Sequence, residues 1–396
     1  MYTSPLKRAV PAALSMLLAL ALLASCGGGV DSGGTGGAVA VGPISGFGSI
    51  IVNGVRFDVS GPTLQIQDDA GNPRTHADLT LGTMTEVDGS GLAVNAGVTT
   101  ATATSIRIVS DLVGPVGTVD TAAGTLSVVG QTVVVTPATV FDASVAGGLI
   151  GVAPGAVVEV NGRYDAQARR YTATRIGLPT DAASYKLRGP VGAIDTKAQT
   201  LTVGGQTISY AQLGAASVAN LTPGSIVRAR LQPAAPGGVW VAVALQAGAL
   251  ALPDRQVAQV EGRVSAWTSS RRFSVEGIPV DASGASYTGS ESGVVLGARV
   301  EVEGASSGGV LVAQVVKVEG DESAANTSFE LHGLIDTIAP LATNFTLRGL
   351  TVNYAAAVFD SGGAAGLAVG QRVKVEGVLS SDGVRIDARK ISFEGG

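Results

Sequence analysis

Gly297-Ala-Arg-Val-Glu-Val-Glu-Gly304 (GARVEVEG) alternates apolar and charged residues between two glycines. Val300 and Val302 fall on one side of an extended chain, and Glu301 and Glu303 fall on the other. That period of two describes a strand with one buried and one wet face. The phrase recurs as Gly82–Gly89 (GTMTEVDG), Gly155–Gly162 (GAVVEVNG), Gly224–Leu231 (GSIVRARL) and Gly370–Gly377 (GQRVKVEG). Successive first glycines are 73, 69, 73 and 73 residues apart. A period this regular means tandem copies of one small unit rather than a single large domain. The glycines read as strand ends and corners. The third phrase departs from the pattern, with Ala229 and Leu231 where the others carry Val and Gly, so its corner is expected to be built differently.

The second copy shows the whole unit around the phrase. Pro115–Asp120 reads as a first strand, Thr125–Val129 as a second, Gly130-Gln131 as a tight turn and Thr132–Thr136 as a third. Pro137–Pro154 is looser, with room for one short helical turn. Ala156–Asn161 and Tyr171–Ile176 complete five strands. A unit of about 70 residues is near the lower size limit for independent folding. Open sheet edges would invite tandem copies to pair, and closure removes them. The expected architecture is therefore all-β, a tandem array of five small OB-like antiparallel β-barrels, with small β-sandwiches as the alternative. The expected boundaries are 43–111, 112–181, 185–248, 256–320 and 328–396. The junction at Asp111–Gly114 is short enough for the first two units to dock rigidly.

Composition agrees. The 396 residues include 56 glycines, with 4% aromatic and 14% charged residues. Strand formers punctuated by glycine favour sheets and tight turns. Net charge is −5 overall and near −7 without Lys7 and Arg8. Phosphate neutralisation needs clustered Lys and Arg, so no nucleic-acid partner is expected.

The first 25 residues have the form of a secretory leader. Lys7 and Arg8 precede the apolar run Ala9–Ala24, which is too short and wrongly flanked for a membrane span. Leu23-Ala24-Ser25-Cys26 resembles the bacterial lipobox. The resemblance implies acylation of Cys26, cleavage before it and a membrane partner through the lipid. With Gly27 following, it implies the outer membrane of a two-membrane envelope. Cys26 is the sole cysteine, so intramolecular disulfides and thiol catalysis are excluded. Residues 26–42, rich in glycine, read as a flexible tether; Gly27–Gly42 would reach roughly 20–24 Å.

The array resembles the domain of unknown function 5666 family, found in tandem in exported bacterial proteins. The matching residues are Gly189–Asp195, the Val203–Gln206 hairpin and the glycine-flanked phrase. The resemblance spans roughly Gly42–Glu394. It implies an OB-like barrel and carries over no catalytic residue.

Candidates for chemistry are few. His76 lies in the polar loop Gln67–Asp78 with Asp68, Asp69 and Asp78. Carboxylates with an imidazole suit a divalent cation, but the spacing matches no metal loop, so a solvated insertion is expected and no metal or cofactor. His332 sits on a first strand, with Asp336 pointing to the same face. No Gly-x-Ser-x-Gly elbow or phosphate loop is present. Trp240 and Trp267 read as core or rim residues before carbohydrate platforms. The expected function is a non-enzymatic, lipid-anchored envelope protein, a structural or interaction array with protein or polysaccharide partners. Oligosaccharide binding is the alternative, and a hydrolase, which needs a convergent acid pair across a cleft, comes last. One compact globule with a shared deep cleft would count against the spacer array.

Overall fold

The computed structural model describes residues 37–95, 98–179, 182–248, 252–320 and 328–394. Cys26 and the leader lie outside the described residues. The chain from Thr35 to Gly396 forms one compact unit.

The strand pairings follow from the alternation read above. In barrel 2, Leu112–Asp120 opens the unit and pairs with Thr125–Val128, which pairs with Gln131–Val134. The latter runs parallel to the closing strand Arg170–Gly177. The closing strand pairs with the phrase strand Val157–Asp165, which returns to the opening strand. The ring 1-2-3-5-4-1 leaves no strand with an open side, so the edge problem disappears. The same ring forms around Gly37–Phe47, Tyr185–Asp195, Arg255–Ser269 and Phe329–Ala339. These opening strands define barrels 1, 3, 4 and 5. The loose stretch of barrel 2 holds a short 3-10 turn at Gly148–Gly151.

Three local expectations are corrected. The tight turn of barrel 2 is Val129-Gly130, not Gly130-Gln131. Both residues have positive φ, 48° and 71°, as a two-residue hairpin requires, and the strands shift by one residue accordingly. The second glycine of the phrase is not a strand end. It sits mid-strand at a bulge, where register shifts occur at Asn161/Gly162, Glu303/Gly304 and Glu376/Gly377. A Cβ at Gly304 would lie 2.0 Å from the Val312 carbonyl oxygen. Barrel 3 bulges at the same place with Leu231, fully buried, so its corner is the same despite the sequence. Finally, residues 37–42 of the expected tether are strand. Ala38, Val39, Ala40 and Val41 are all buried, because this run pairs with Val257–Val260 of barrel 4 as well as with its own phrase strand.

The barrels do not stand apart. Gly46 and Phe47 of barrel 1 pair with Glu330 and Leu331 of barrel 5, and one apolar core runs through both. Barrel 4 shares its core with Val39 and Val41 of barrel 1. Leu112 and Val113 of barrel 2 pair with Leu187 and Lys186 of barrel 3, and these two also share a core. The result is two halves, barrels 1, 4 and 5 and barrels 2 and 3, each with its own continuous sheet.

The hairpin turn carries docking residues. Its first position has φ near +50° in every copy: Asn53, Val129, Gly204, Glu276 and Arg348. Asn53 of barrel 1 donates to the Gln259 carbonyl of barrel 4 at 3.4 Å. Gly204 of barrel 3 accepts from Gln131 of barrel 2 at 3.1 Å. Glu276 of barrel 4 meets Arg188 of barrel 3, and Arg348 of barrel 5 lies 5.4 Å over the Phe47 ring of barrel 1.

Candidate functional site

A cleft of about 640 Å³ opens where barrels 1, 2, 4 and 5 meet. That volume lies in the range of small-ligand sites. Its charged wall is the outer face of barrel 4. Alternation buries Val300 and Val302 and turns Glu301 and Glu303 outward; strand register sets Glu261 opposite Glu301 and Gln259 opposite Glu303. Lys317 lies opposite Glu301 on the closing strand.

Like charges in direct register repel, and the cleft compensates from several copies. Arg163 of barrel 2, only 1% exposed, donates from Nη2 to Glu261 Oε1 at 2.8 Å. Arg299 donates to the same oxygen at 2.5 Å. Burial pushes Glu261 up, but the charges of Arg163 and Arg299 overcome this and hold its carboxyl below the usual range. Glu301 goes the other way. Burial raises it and the Glu261 and Glu303 charges add to the rise, against the pull of Lys317. Lys317 reaches Glu301 at 3.4 Å and Glu319 at 2.6 Å. The facing wall carries no carboxylate: it presents Ser45, Asn53, Thr99, Thr174 and Ser328.

The residues singled out from the sequence go elsewhere. His76 Nε2 lies 2.7 Å from the Val59 carbonyl oxygen. Asp68 accepts from the Ala70 and Asn72 amides and from Arg74. Asp69 turns away to Lys186 of barrel 3 at 2.7 Å, and Asp78 accepts from the Thr75 amide and hydroxyl. The loop's acids thus diverge, and among the described residues no group of three or more His, Cys, Asp or Glu side chains is arranged to hold a metal ion. His332 sits between Glu330 at 2.6 Å and Glu394 at 2.7 Å, with Asp336 instead accepting from the Gly349 amide. Trp240 packs edge-on against Tyr185. Trp267 is 48% exposed and its indole N–H donates to the Val294 carbonyl. Neither tryptophan lines the cleft.

The cleft itself was missed because its residues lie in different copies. One signal was present. The position before the glycine of each opening strand reads Val41, Val113, Arg188, Glu261 and His332. It is apolar in two copies and ionisable in three, and Arg188 and Glu261 are inter-barrel contacts.

Arg188 heads a second, buried cluster. It donates to Asp111 Oδ1 and Glu276 Oε2, each at 3.1 Å, and to the Glu276 and Gly248 carbonyls. Burial pushes Asp111 up to about 6, opposed by Arg188 and reinforced by Glu276, since two carboxylates share one guanidinium.

Residues 113–177, 261–327 and 332–392 each match the domain of unknown function DUF5666. These three copies belong to this repeat family. The three DUF5666 matches are barrels 2, 4 and 5; barrels 1 and 3 close by the same ring. No curated protein matches the chain. Among the described residues no helix is long and apolar enough to cross a membrane.

Proposed function

We propose that this DUF5666 protein is a non-enzymatic, lipid-anchored protein of the cell envelope that binds a polar ligand in its inter-barrel cleft. The observation that carries the reading is a cleft of about 640 Å³ assembled from four copies. Its lining is acidic along barrel 4 and, apart from Arg163, uncharged on the other barrels. A spacer made of separate barrels would be expected to be extended, whereas Thr35–Gly396 is one compact unit. Support for the lipid anchor comes from Leu23–Cys26.

A hydrolytic role receives no support from the carboxylate placement. Glu261, Glu301, Glu303 and Glu319 all stand on barrel 4, whereas glycoside hydrolysis needs two acids flanking the scissile bond.

The test has two arms. Radiolabelled palmitate should enter the wild type and not Cys26→Ala, with the label in the outer-membrane fraction. Thermal unfolding against a panel of envelope polysaccharides, peptides and small polar solutes should find a ligand that raises Tm; occupancy at 100 times Kd stabilises by about 2.7 kcal/mol. Failure of every compound in the panel to shift Tm, or a shift unaltered by Glu303→Gln, would remove the cleft from the account.

A further inference from the structure

We infer that the molecule is a two-jaw body in which barrels 2 and 3 pivot as one unit against barrels 1, 4 and 5, opening along a seam of ion pairs that crosses the cleft. Within each jaw, barrels share apolar cores and paired strands. Between the jaws the contacts are of another kind. Arg163–Glu261 at 2.8 Å, Arg188–Glu276 at 3.1 Å, Arg228–Glu86 at 3.1 Å, Lys186–Asp69 at 2.7 Å and Arg263–Asp165 at 3.5 Å span the gap. Single polar bonds add to them: the Met84 amide donates to Asn161 Oδ1 at 2.9 Å, and Thr174 to the Gly82 carbonyl at 2.7 Å.

A buried ion pair contributes little net stability, because desolvation offsets attraction, and water recovers both charges when the pair opens. A shared apolar core regains nothing on exposure. The seam is also imperfectly satisfied. Asp69 Oδ2 and Arg228 Nε are buried without a hydrogen-bond partner, a state costlier than exposure. The seam is therefore the joint of lowest opening free energy.

The apolar contacts across it gather at one place, which supplies the pivot: Val384 of barrel 5 packs against the core of barrels 2 and 3. Val140 enters the core of barrels 1 and 5, and the Phe141 amide donates to the Gly383 carbonyl at 2.8 Å. Gly383 admits the Phe141 ring where a Cβ would meet it at 2.8 Å. The cleft has Arg163 and Thr174 on one jaw and Glu261 and Glu303 on the other, so rotation about this pivot changes its width.

Hydrogen exchange on the purified full chain tests the inference. The Met84 amide, which crosses the seam, should exchange at least tenfold faster than the amides pairing Leu112–Val113 with Lys186–Leu187 and Val39–Val41 with Val257–Val260. Phe141 should stay protected. Arg188→Met, which also loses Asp111 within its own jaw, should speed Met84 by a larger factor than it speeds the paired strands. Exchange of the seam and the shared strands at one common rate would overturn the two-jaw body, as would earlier opening between barrels 2 and 3. The wild-type order alone decides the matter if Arg188→Met fails to fold.

Discussion

Barrels 2 and 3 are joined by a core, and barrels 3 and 4 by a guanidinium. The first joint buries Leu112, Leu187, Tyr171 and Val203 together. The second holds Arg188 against Glu276, while the same guanidinium keeps Asp111, which the Gly162 amide fixes to barrel 2. Both are inaccessible to water, yet they respond oppositely to change. An apolar joint weakens in proportion to the surface removed. An ionic joint is nearly neutral when whole and strongly destabilising when half removed.

Substitutions at the two joints separate these behaviours. The largest effect is expected from Arg188→Met, which leaves Asp111 and Glu276 buried without their cation and should cost about 3–5 kcal/mol in urea unfolding. Leu187→Ala, at the apolar joint, should cost about 2–5 kcal/mol through the cavity it leaves. A cost for Arg188→Met well below that of Leu187→Ala would mean the guanidinium is not the keystone of its joint. Next, Arg228→Met should destabilise more than the double variant Arg228→Met/Glu86→Met, because the pair replaced whole costs less than the pair broken; a double-mutant cycle reads this directly. Arg107, 2.8 Å from Glu86, limits the recovery.

The smallest effects are in pH dependence, and their signs differ. Burial acts against Glu330, but hydrogen bonds from His332 and Arg56 and the charges of Arg56 and Lys374 hold it down at about 2. Its contribution to the barrel 1–5 joint is present above its ordinary 4.5 and is lost as pH falls through about 2. Asp111, raised to about 6, behaves in reverse. The stability tied to its proton is full below 3.8 and is lost as pH rises through 6. Glu330→Gln should flatten the acid limb below pH 4.5, and Asp111→Asn the slope between pH 4 and 6, in urea midpoints measured across the range.

The same contrast explains how much was legible in the sequence. The ring of five strands was readable because each copy repeats it: Val300 and Val302 recur as Val373 and Val375, all buried. Docking was not readable. Alternation tells that Glu261 and Arg228 face outward, but not that another barrel reaches them. The two most divergent features, the Asp68–Asp78 insertion and the third phrase, both lie on the seam. Asp69 reaches Lys186, and Arg228 reaches Glu86. The insertion itself reaches barrel 3, whereas Ala229 and Leu231, which mark the third phrase, are buried in the core of barrels 2 and 3. The closing glycines misled for a local reason, since a bulge and a strand end both demand the missing Cβ.

Solution scattering from residues 35–396 tests most directly whether the barrels form one body. A compact particle of about 360 residues has a radius of gyration of about 21 Å, and a value near this, with a single-peaked distance distribution, is the predicted result. Five barrels strung in line would extend roughly 140 Å on the same scaling, and a profile of that length would contradict the docked structure and the cleft it builds.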